Sequence, residues 1–127
     1  MTTEDIQNKF GSPFEKEFPF VKVDYNECPA GWYPIVREAL TAIQQLKLPK
    51  DFTVCQIKEK LGGLRIYEEG AISNEEWKKF LQIVDGAEEK SYKTCMLCGS
   101  EDDVSTKGRP SWIMTLCRKC ADEGYPS

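Results

Sequence analysis

Two cysteine doublets near the C-terminus constrain the fold of this chain more than any other feature. Cys95-Met96-Leu97-Cys98 and Cys117-Arg118-Lys119-Cys120 are separated by residues 99–116. This is the C-x2-C…C-x2-C spacing of a four-thiolate zinc site, in which each doublet directs two sulfurs at one point. The sequence therefore predicts one Zn²⁺ ion held by Cys95, Cys98, Cys117 and Cys120, with residues 94–127 folded around it.

The predicted metal site is structural rather than catalytic. A four-thiolate zinc site is closed and leaves no position for water or substrate. A disulfide interpretation is weaker, because the polar, acidic start Met1-Thr2-Thr3-Glu4-Asp5 does not resemble a secretory signal. We therefore expect a cytoplasmic protein, where a reducing environment favours metal over disulfides. The remaining cysteines, Cys28 and Cys55, are expected to be buried small apolar residues.

Length and composition indicate a folded protein of modest size. The chain has 127 residues, of which 40% are hydrophobic and 30% charged, a balance typical of one globular domain. No apolar run reaches the length of a membrane span. The net charge of −4 disfavours nucleic-acid binding that depends on neutralising phosphates.

The chain contains no histidine, which narrows the choice of enzyme mechanism. It removes the commonest general base, the Ser-His-Asp and Cys-His arrangements, and the histidine-containing catalytic zinc sites. An enzyme acting through Asp, Glu, Lys or Tyr remains open, but we expect a protein without enzymatic activity.

Hydrophobic periodicity predicts two helices, over residues 31–47 and 73–93. Pro34 suits the first turn of the first helix, where its missing N–H is not needed. Ser73 and Glu76 have the spacing of a capping box at the start of the second helix. The periodic positions predict a largely buried set: Trp32, Ile35, Leu40, Ile43, Ile57, Ile66, Trp77, Phe80, Leu81 and Val84.

Alternation predicts a short strand over residues 20–25 and a β-hairpin over residues 53–69. Gly62-Gly63 suits a two-residue turn that requires positive φ. This register pairs Leu61 with Leu64 and Lys58 with Tyr67. It predicts an apolar face formed by Cys55, Ile57, Leu61, Leu64 and Ile66 and an opposite, basic face formed by Gln56, Lys58, Lys60, Arg65 and Tyr67.

The basic hairpin face is the candidate binding site, formed by Lys58, Lys60, Arg65 and Tyr67. Arg65 offers a planar fork for a phosphate or carboxylate group, and Tyr67 offers a flat ring with a hydrogen-bonding tip. The alternative is a solvated sheet face whose charges pair with neighbouring glutamates. We favour the solvated face and keep ligand recognition by Lys58, Lys60, Arg65 and Tyr67 as the alternative.

The chain order of residues 94–127 predicts a zinc-finger module packed on a core domain formed by residues 1–93. A knuckle at the first doublet is followed by a turn-rich stretch, a strand over residues 112–116 and a terminal helix beginning near Cys120. That is the order of a treble-clef finger, and a zinc ribbon is the alternative. The predicted fold class is α+β: strand, helix, hairpin, helix and finger.

Three segments carry a resemblance to known sequences. They are Gly31-Trp32-Tyr33-Pro34-Ile35, the hairpin string from Gln56 to Tyr67, and Ala87 to Gly99 with Trp112-x-x-Thr115-Leu116-Cys117. From about Gly31 onward the chain resembles a group of small, largely uncharacterised phage, prophage and bacterial proteins. Members of that group commonly end the second doublet with histidine, whereas this chain has Cys120, which keeps a metal ligand in place.

The resemblance implies a phage-type or bacterial cytoplasmic protein and carries no established activity. By analogy with other small zinc-stabilised phage proteins, we expect a non-enzymatic protein that binds a host or phage protein and acts as an inhibitor of host defence. One alternative is a binder of nucleic acid or phosphorylated ligands through the basic hairpin face. A second is a histidine-free enzyme on a nucleotide-like substrate. The oligomeric state is left open.

Overall fold

The computed structural model describes residues 14–23, 27–109 and 112–124. Along these residues the chain forms two antiparallel hairpins and three α-helices, which confirms the α+β fold class. The elements in order are a 3-10 turn (Ala30–Trp32), α1 (Tyr33–Gln45), β1 (Thr53–Lys60), β2 (Gly63–Glu69), α2 (Asn74–Ser91), β3 (Val104–Arg109), β4 (Trp112–Cys117) and α3 (Arg118–Gly124).

Local signals place the helix starts. Pro34 lies in the first turn of α1, as predicted. At α2 the Glu76 N–H donates to Ser73 Oγ at 3.1 Å, and the Ser73 N–H donates to Glu76 Oε1 at 2.9 Å, which completes the predicted capping box. Acidic residues in the first turn of α2 and Lys90 in its last turn also suit the helix dipole. None of the helices in residues 14–23, 27–109 and 112–124 combines the length and the apolar composition of a membrane span.

One hydrophobic cluster joins α1, α2, the first hairpin and the metal module. Seven side chains of the predicted core are buried: Trp32, Ile35, Leu40, Ile43, Ile57, Ile66 and Phe80. Leu81 and Val84 are half-buried. The prediction for Trp77 is wrong, because 37% of this residue is exposed. Its ring stacks on Phe80 at a centroid distance of 5.6 Å, at the edge of the core rather than inside it.

The turn of the first hairpin lies one residue earlier than predicted. Lys60 pairs with Gly63, so Leu61 and Gly62 form the turn, with φ values of +55° and +83°. These angles fit a type I′ turn, the type that matches the twist of hairpin strands. The pairing of Leu61 with Leu64 is therefore wrong, and Leu61 leaves the apolar face to become 53% exposed.

The change in register leaves the side chains of this hairpin on their predicted faces. Ile57 pairs with Ile66 and Lys58 pairs with Arg65, a shift of two residues from the predicted pairing. An even shift keeps every side chain on its own face of the sheet. Cys55 is the exception, because the register shifts between Val54 and Gln56 and makes Cys55 the extra residue of a bulge.

The N-terminal segment covers the second side of β1. The Lys22 N–H donates to the Val54 carbonyl oxygen, and the Val54 N–H donates to the Phe20 carbonyl oxygen, each at 2.9 Å. Val21 and Glu27 form single parallel bridges to β1. Residues 24–25 of the predicted strand and the N-terminal aromatic Phe10 lie outside the described residues. Among the strands that the structure describes, β2 pairs with β1 alone.

Candidate metal centre and hairpin face

The structure brings the four predicted metal ligands together. The sulfurs of Cys95, Cys98, Cys117 and Cys120 all lie within 4.8 Å of one another, and those of Cys98 and Cys117 are 3.7 Å apart. A Zn–S bond of about 2.3 Å places the sulfurs of a tetrahedral site about 3.8 Å apart. The four-cysteine cluster therefore fits a zinc-binding site in both its donor set and its size.

The first doublet forms a tight knuckle. The Cys95 N–H donates to the Ser100 carbonyl oxygen at 2.8 Å, and the Gly99 N–H donates to the Cys95 carbonyl oxygen at 2.9 Å. Gly99 has a φ of +81°, a conformation that strains residues with a side chain. The sequence Cys98-Gly99 thus returns the backbone beneath the sulfurs, as the doublet predicts.

The second doublet lies at the junction of a strand and a helix. Cys117 ends β4, and Cys120 lies in the first turn of α3, where its N–H points to Cys117 Sγ at 3.5 Å. Knuckle, hairpin and helix in this order are the treble-clef arrangement. The zinc-ribbon alternative is not adopted, because the second doublet opens a helix instead of a hairpin turn.

The four thiols differ in how easily they ionise. Burial opposes ionisation of Cys95, but backbone N–H groups that include those of Cys117 and Cys98 outweigh it and lower the pKa of Cys95 to about 6. Hydrogen bonding to the Cys117 sulfur, together with burial, raises the pKa of Cys120 well above its usual range. Crowded sulfurs cannot all become thiolates without a neutralising charge, and a divalent cation provides that charge.

The knuckle is held against the start of α1. The Gly31 N–H donates to the Met96 carbonyl oxygen, and the Met96 N–H donates to the Thr115 carbonyl oxygen, each at 2.9 Å. A Cβ atom at Gly31 would lie 2.6 Å from the Met96 carbonyl carbon, so no side chain fits there. The buried indole of Trp32 donates from Nε1 to the Thr94 carbonyl oxygen at 2.9 Å. The knuckle is therefore fixed to the core by hydrogen bonds to its own backbone.

The tip of the first hairpin packs against the second hairpin. Thr115 Oγ1 donates to the Gly62 carbonyl oxygen at 2.5 Å and shares a hydrogen bond of 2.7 Å with Thr106 Oγ1. A Cβ atom at Gly62 would lie 2.7 Å from Thr106 Cγ2, and one at Gly63 would overlap the Tyr92 ring. The absence of side chains at Gly62 and Gly63 thus leaves room for Thr106 and Tyr92 of the same chain. Thr115 is a packing residue that sequence reasoning did not identify, since its partner is distant in sequence.

The predicted binding residues share the outward face of the first hairpin. Lys58 Nζ lies 5.6 Å from the centre of the Tyr67 ring, and Arg65 Nη1 lies 3.1 Å from Glu88 Oε1 on α2. Lys60 is exposed. Three of the four residues therefore have a partner within the chain, but the ion pair of Arg65 is with Glu88 rather than with Glu59, Glu68 or Glu69 of the hairpin, which the solvated-face interpretation expects. Recognition of a ligand by this face stays a prediction.

The remaining cysteines differ in environment. Cys28 is 7% exposed, and burial raises the pKa of its thiol to about 12. Cys55 is half-buried in the β1 bulge, and its sulfur lies 3.6 Å from the Tyr67 carbonyl oxygen. The prediction of a buried residue thus holds for Cys28 and only in part for Cys55.

No protein-family model, no curated protein and no solved structure matches this chain.

Proposed function

We propose that this chain is a zinc-stabilised, non-enzymatic protein that binds another protein. The observation that carries the proposal is a groove of about 220 Å³ between β2 and α2, lined by two aromatic residues that are each 37% exposed, Tyr67 and Trp77. Aromatic side chains dominate the binding energy of protein interfaces because they bury a large area at a small cost in conformational entropy.

The metal has a structural part in this proposal. Zinc bound by Cys95, Cys98, Cys117 and Cys120 would cross-link the knuckle to the β4–α3 junction and convert binding free energy into folding free energy. The knuckle contacts Gly31, and β4 contacts Gly62. A metal there therefore supports both the start of α1 and the tip of the hairpin that carries Tyr67.

The charge of the groove suits protein side chains better than phosphate groups. Arg65 is the one basic residue among the described residues that line the groove, and its guanidinium is paired with Glu88. Glu68 and Asp85 also line the groove. Nucleic-acid binding through Lys58 and Lys60 on the neighbouring face is a weaker candidate, because the whole chain has a net charge of −4. The phage-type origin and the inhibition of host defence stay predictions from the resemblance.

The test is capture of a partner by the zinc-loaded chain from a nuclease-treated bacterial lysate, followed by reconstitution with the purified partner. Trp77→Ala should weaken the reconstituted complex by at least about tenfold, as expected for an aromatic residue central to an interface. Gln82→Ala, an exposed position on the same helix, is the matched control.

Two results would contradict the proposal. One is that none of the captured proteins binds the zinc-loaded chain after purification. The other is that Trp77→Ala binds the purified partner as tightly as wild type. The double variant Lys58→Ala with Arg65→Ala tests the basic hairpin face in the same assay. If the chain instead captures nucleic acid from a lysate without nuclease treatment, and this binding weakens steeply as the salt concentration rises, nucleic-acid binding is favoured.

A further inference from the structure

We propose that the open edge of β2 accepts an extended segment of a partner protein as an added strand, with apolar side chains in the groove against α2 and a basic side chain near Glu68 and Asp85. This inference rests on the proposed function and names its surface and the chemistry of its ligand. In strand addition, main-chain hydrogen bonds supply affinity and pockets for alternate side chains supply specificity.

The hydrogen bond of Leu64 shows which peptide groups of β2 face outward. The Leu64 N–H points away from β1 and donates to Ser91 Oγ at 2.9 Å. In an antiparallel pair every second residue directs its N–H and C=O to the same side. Ile66 and Glu68 therefore present their peptide groups to the outer edge. Among the described residues none pairs with the edge of β2 at these two positions.

The groove runs along this edge. Residues of both faces of β2 line it, Arg65 and Tyr67 from one face and Leu64 and Ile66 from the other, as expected for a groove beside a strand rather than over a sheet. Its opposite wall is one face of α2, formed at helical spacing by Trp77, Leu81, Val84, Asp85 and Glu88. A strand laid along β2 would thus place alternate side chains against the apolar residues of the helix.

Ser91 closes one end of the groove. It is fully buried, donates from Oγ to the Glu88 carbonyl oxygen at 2.5 Å and accepts from the Leu64 N–H. The edge of β2 is therefore occupied at Leu64 and open from Ile66 onward. An added strand would enter beside Glu68 and end near Ser91.

Unpaired carboxylates determine the charge of the ligand. Arg65 is neutralised by Glu88 at 3.1 Å. Glu68 and Asp85 form no ion pair with any residue that the structure describes and line the same groove. A peptide with a lysine or arginine among its apolar residues complements these two carboxylates. A second copy of this chain would bring the same carboxylates and the adjacent Glu69 against them, so like charges disfavour pairing of β2 with itself.

The test uses the zinc-loaded full chain and a library of short randomised peptides displayed on phage. We expect enriched peptides to alternate apolar residues and to carry Lys or Arg. When such a peptide is added to the wild-type protein, the amide hydrogens of Ile66 and Glu68 should gain protection from exchange by at least about tenfold, because they become donors in a new ladder. This measurement requires no variant. N-methylation of the peptide at alternate amides should weaken binding by at least about tenfold.

Variants of the protein test the edge and the charge separately. Glu68→Pro removes an outward N–H at an edge position, where strands tolerate proline. It should lower the affinity for the enriched peptides by at least about tenfold. Asp85→Lys should weaken the binding of the basic peptides. Glu89→Lys, the same charge change at an exposed position of α2, should leave their affinity unchanged. Far-ultraviolet circular dichroism verifies that each variant is folded.

Three outcomes would overturn the inference. Enriched peptides could bind without protecting Ile66 and Glu68, no peptide could be enriched, or the two amides could be protected by concentration-dependent dimerisation, which would make a second copy the occupant. A captured partner that binds Glu68→Pro and Asp85→Lys as tightly as wild type would remove this surface while leaving the proposed function intact. Absence of any captured partner would instead remove the proposed function.

Discussion

The hydroxyl of Thr115 donates a hydrogen bond to the carbonyl oxygen of Gly62, over an Oγ1–O distance of 2.5 Å. Thr115 lies on β4, just before the second cysteine doublet, and Gly62 lies in the turn of the first hairpin. Thr115 is fully buried. This contact joins the metal module to the hairpin that carries the proposed binding surface, so the stability of one should depend on the other.

Replacing Thr115 with valine should destabilise the protein by about 1–3 kcal/mol. Valine keeps the shape of the side chain but leaves the buried Gly62 carbonyl oxygen and the Thr106 hydroxyl without this partner. Urea denaturation of the zinc-loaded protein measures the loss in free energy of unfolding. Thr41→Val is the matched control, since Thr41 is exposed and, among the residues that the structure describes, its hydroxyl bonds only to the Arg37 carbonyl oxygen of its own helix. Equal effects of the two changes would refute the assigned role of Thr115.

Alanine substitutions at two helical glycines should have opposite signs. Gly31→Ala places a methyl group against the backbone of Cys95 and Met96 and should cost about 1–3 kcal/mol, because the knuckle must move. Gly86→Ala meets no atom within 4 Å and should stabilise α2 by about 1 kcal/mol through helix propensity. Thermal melts of the two variants beside wild type check both signs. A stabilising Gly31→Ala would mean that the knuckle does not dock at the start of α1.

The turn of the first hairpin contains a strained residue. Leu61 has a φ of +55° and is 53% exposed, so its side chain contributes little to the core. Asparagine adopts positive φ more readily, and Asn-Gly is a preferred pair for type I′ turns. Leu61→Asn should therefore stabilise the protein by about 1 kcal/mol. Destabilisation in a urea titration would show that the turn is not of this type.

The buried thiol of Cys28 should make stability depend on pH in alkaline solution. Its pKa is raised from 9.0 to about 12 by burial. Above pH 9 the unfolded chain releases this proton and the folded chain keeps it, so the free energy of unfolding falls as pH rises from about 9 towards 12. Cys28→Ala should reduce this slope, and Cys55→Ala, at a half-buried position, should change it less. Urea titrations at several pH values compare the three proteins; identical slopes would contradict the assignment.

Local signals in the sequence predicted most of the fold. The spacing of Cys95, Cys98, Cys117 and Cys120 predicted the cluster because a metal site requires few residues at fixed offsets. The pair Ser73 and Glu76 predicted the start of α2 because a capping box involves only residues three apart.

Features that depend on distant residues could not be predicted in this way. The turn lies at Leu61-Gly62 rather than Gly62-Gly63, and Gly63 is instead the first residue of β2, where the ring of Tyr92 leaves no room for a side chain. Trp77 follows the apolar stripe of α2, yet it lines the groove beside β2 and remains 37% exposed. Neither position carries a local signal of its neighbour, so periodicity alone assigns Trp77 to the core.

We propose that one zinc ion on the four cysteines holds the metal module and the hairpin tip together. Native mass spectrometry of the purified full chain, with hydrogen exchange before and after chelation, tests it most directly. We predict the mass of one Zn²⁺ per chain, loss of that mass in Cys95→Ser, and loss of amide protection over residues 94–127 and around Gly62 when the metal is removed. A metal-free chain that keeps full protection across these residues would contradict the account.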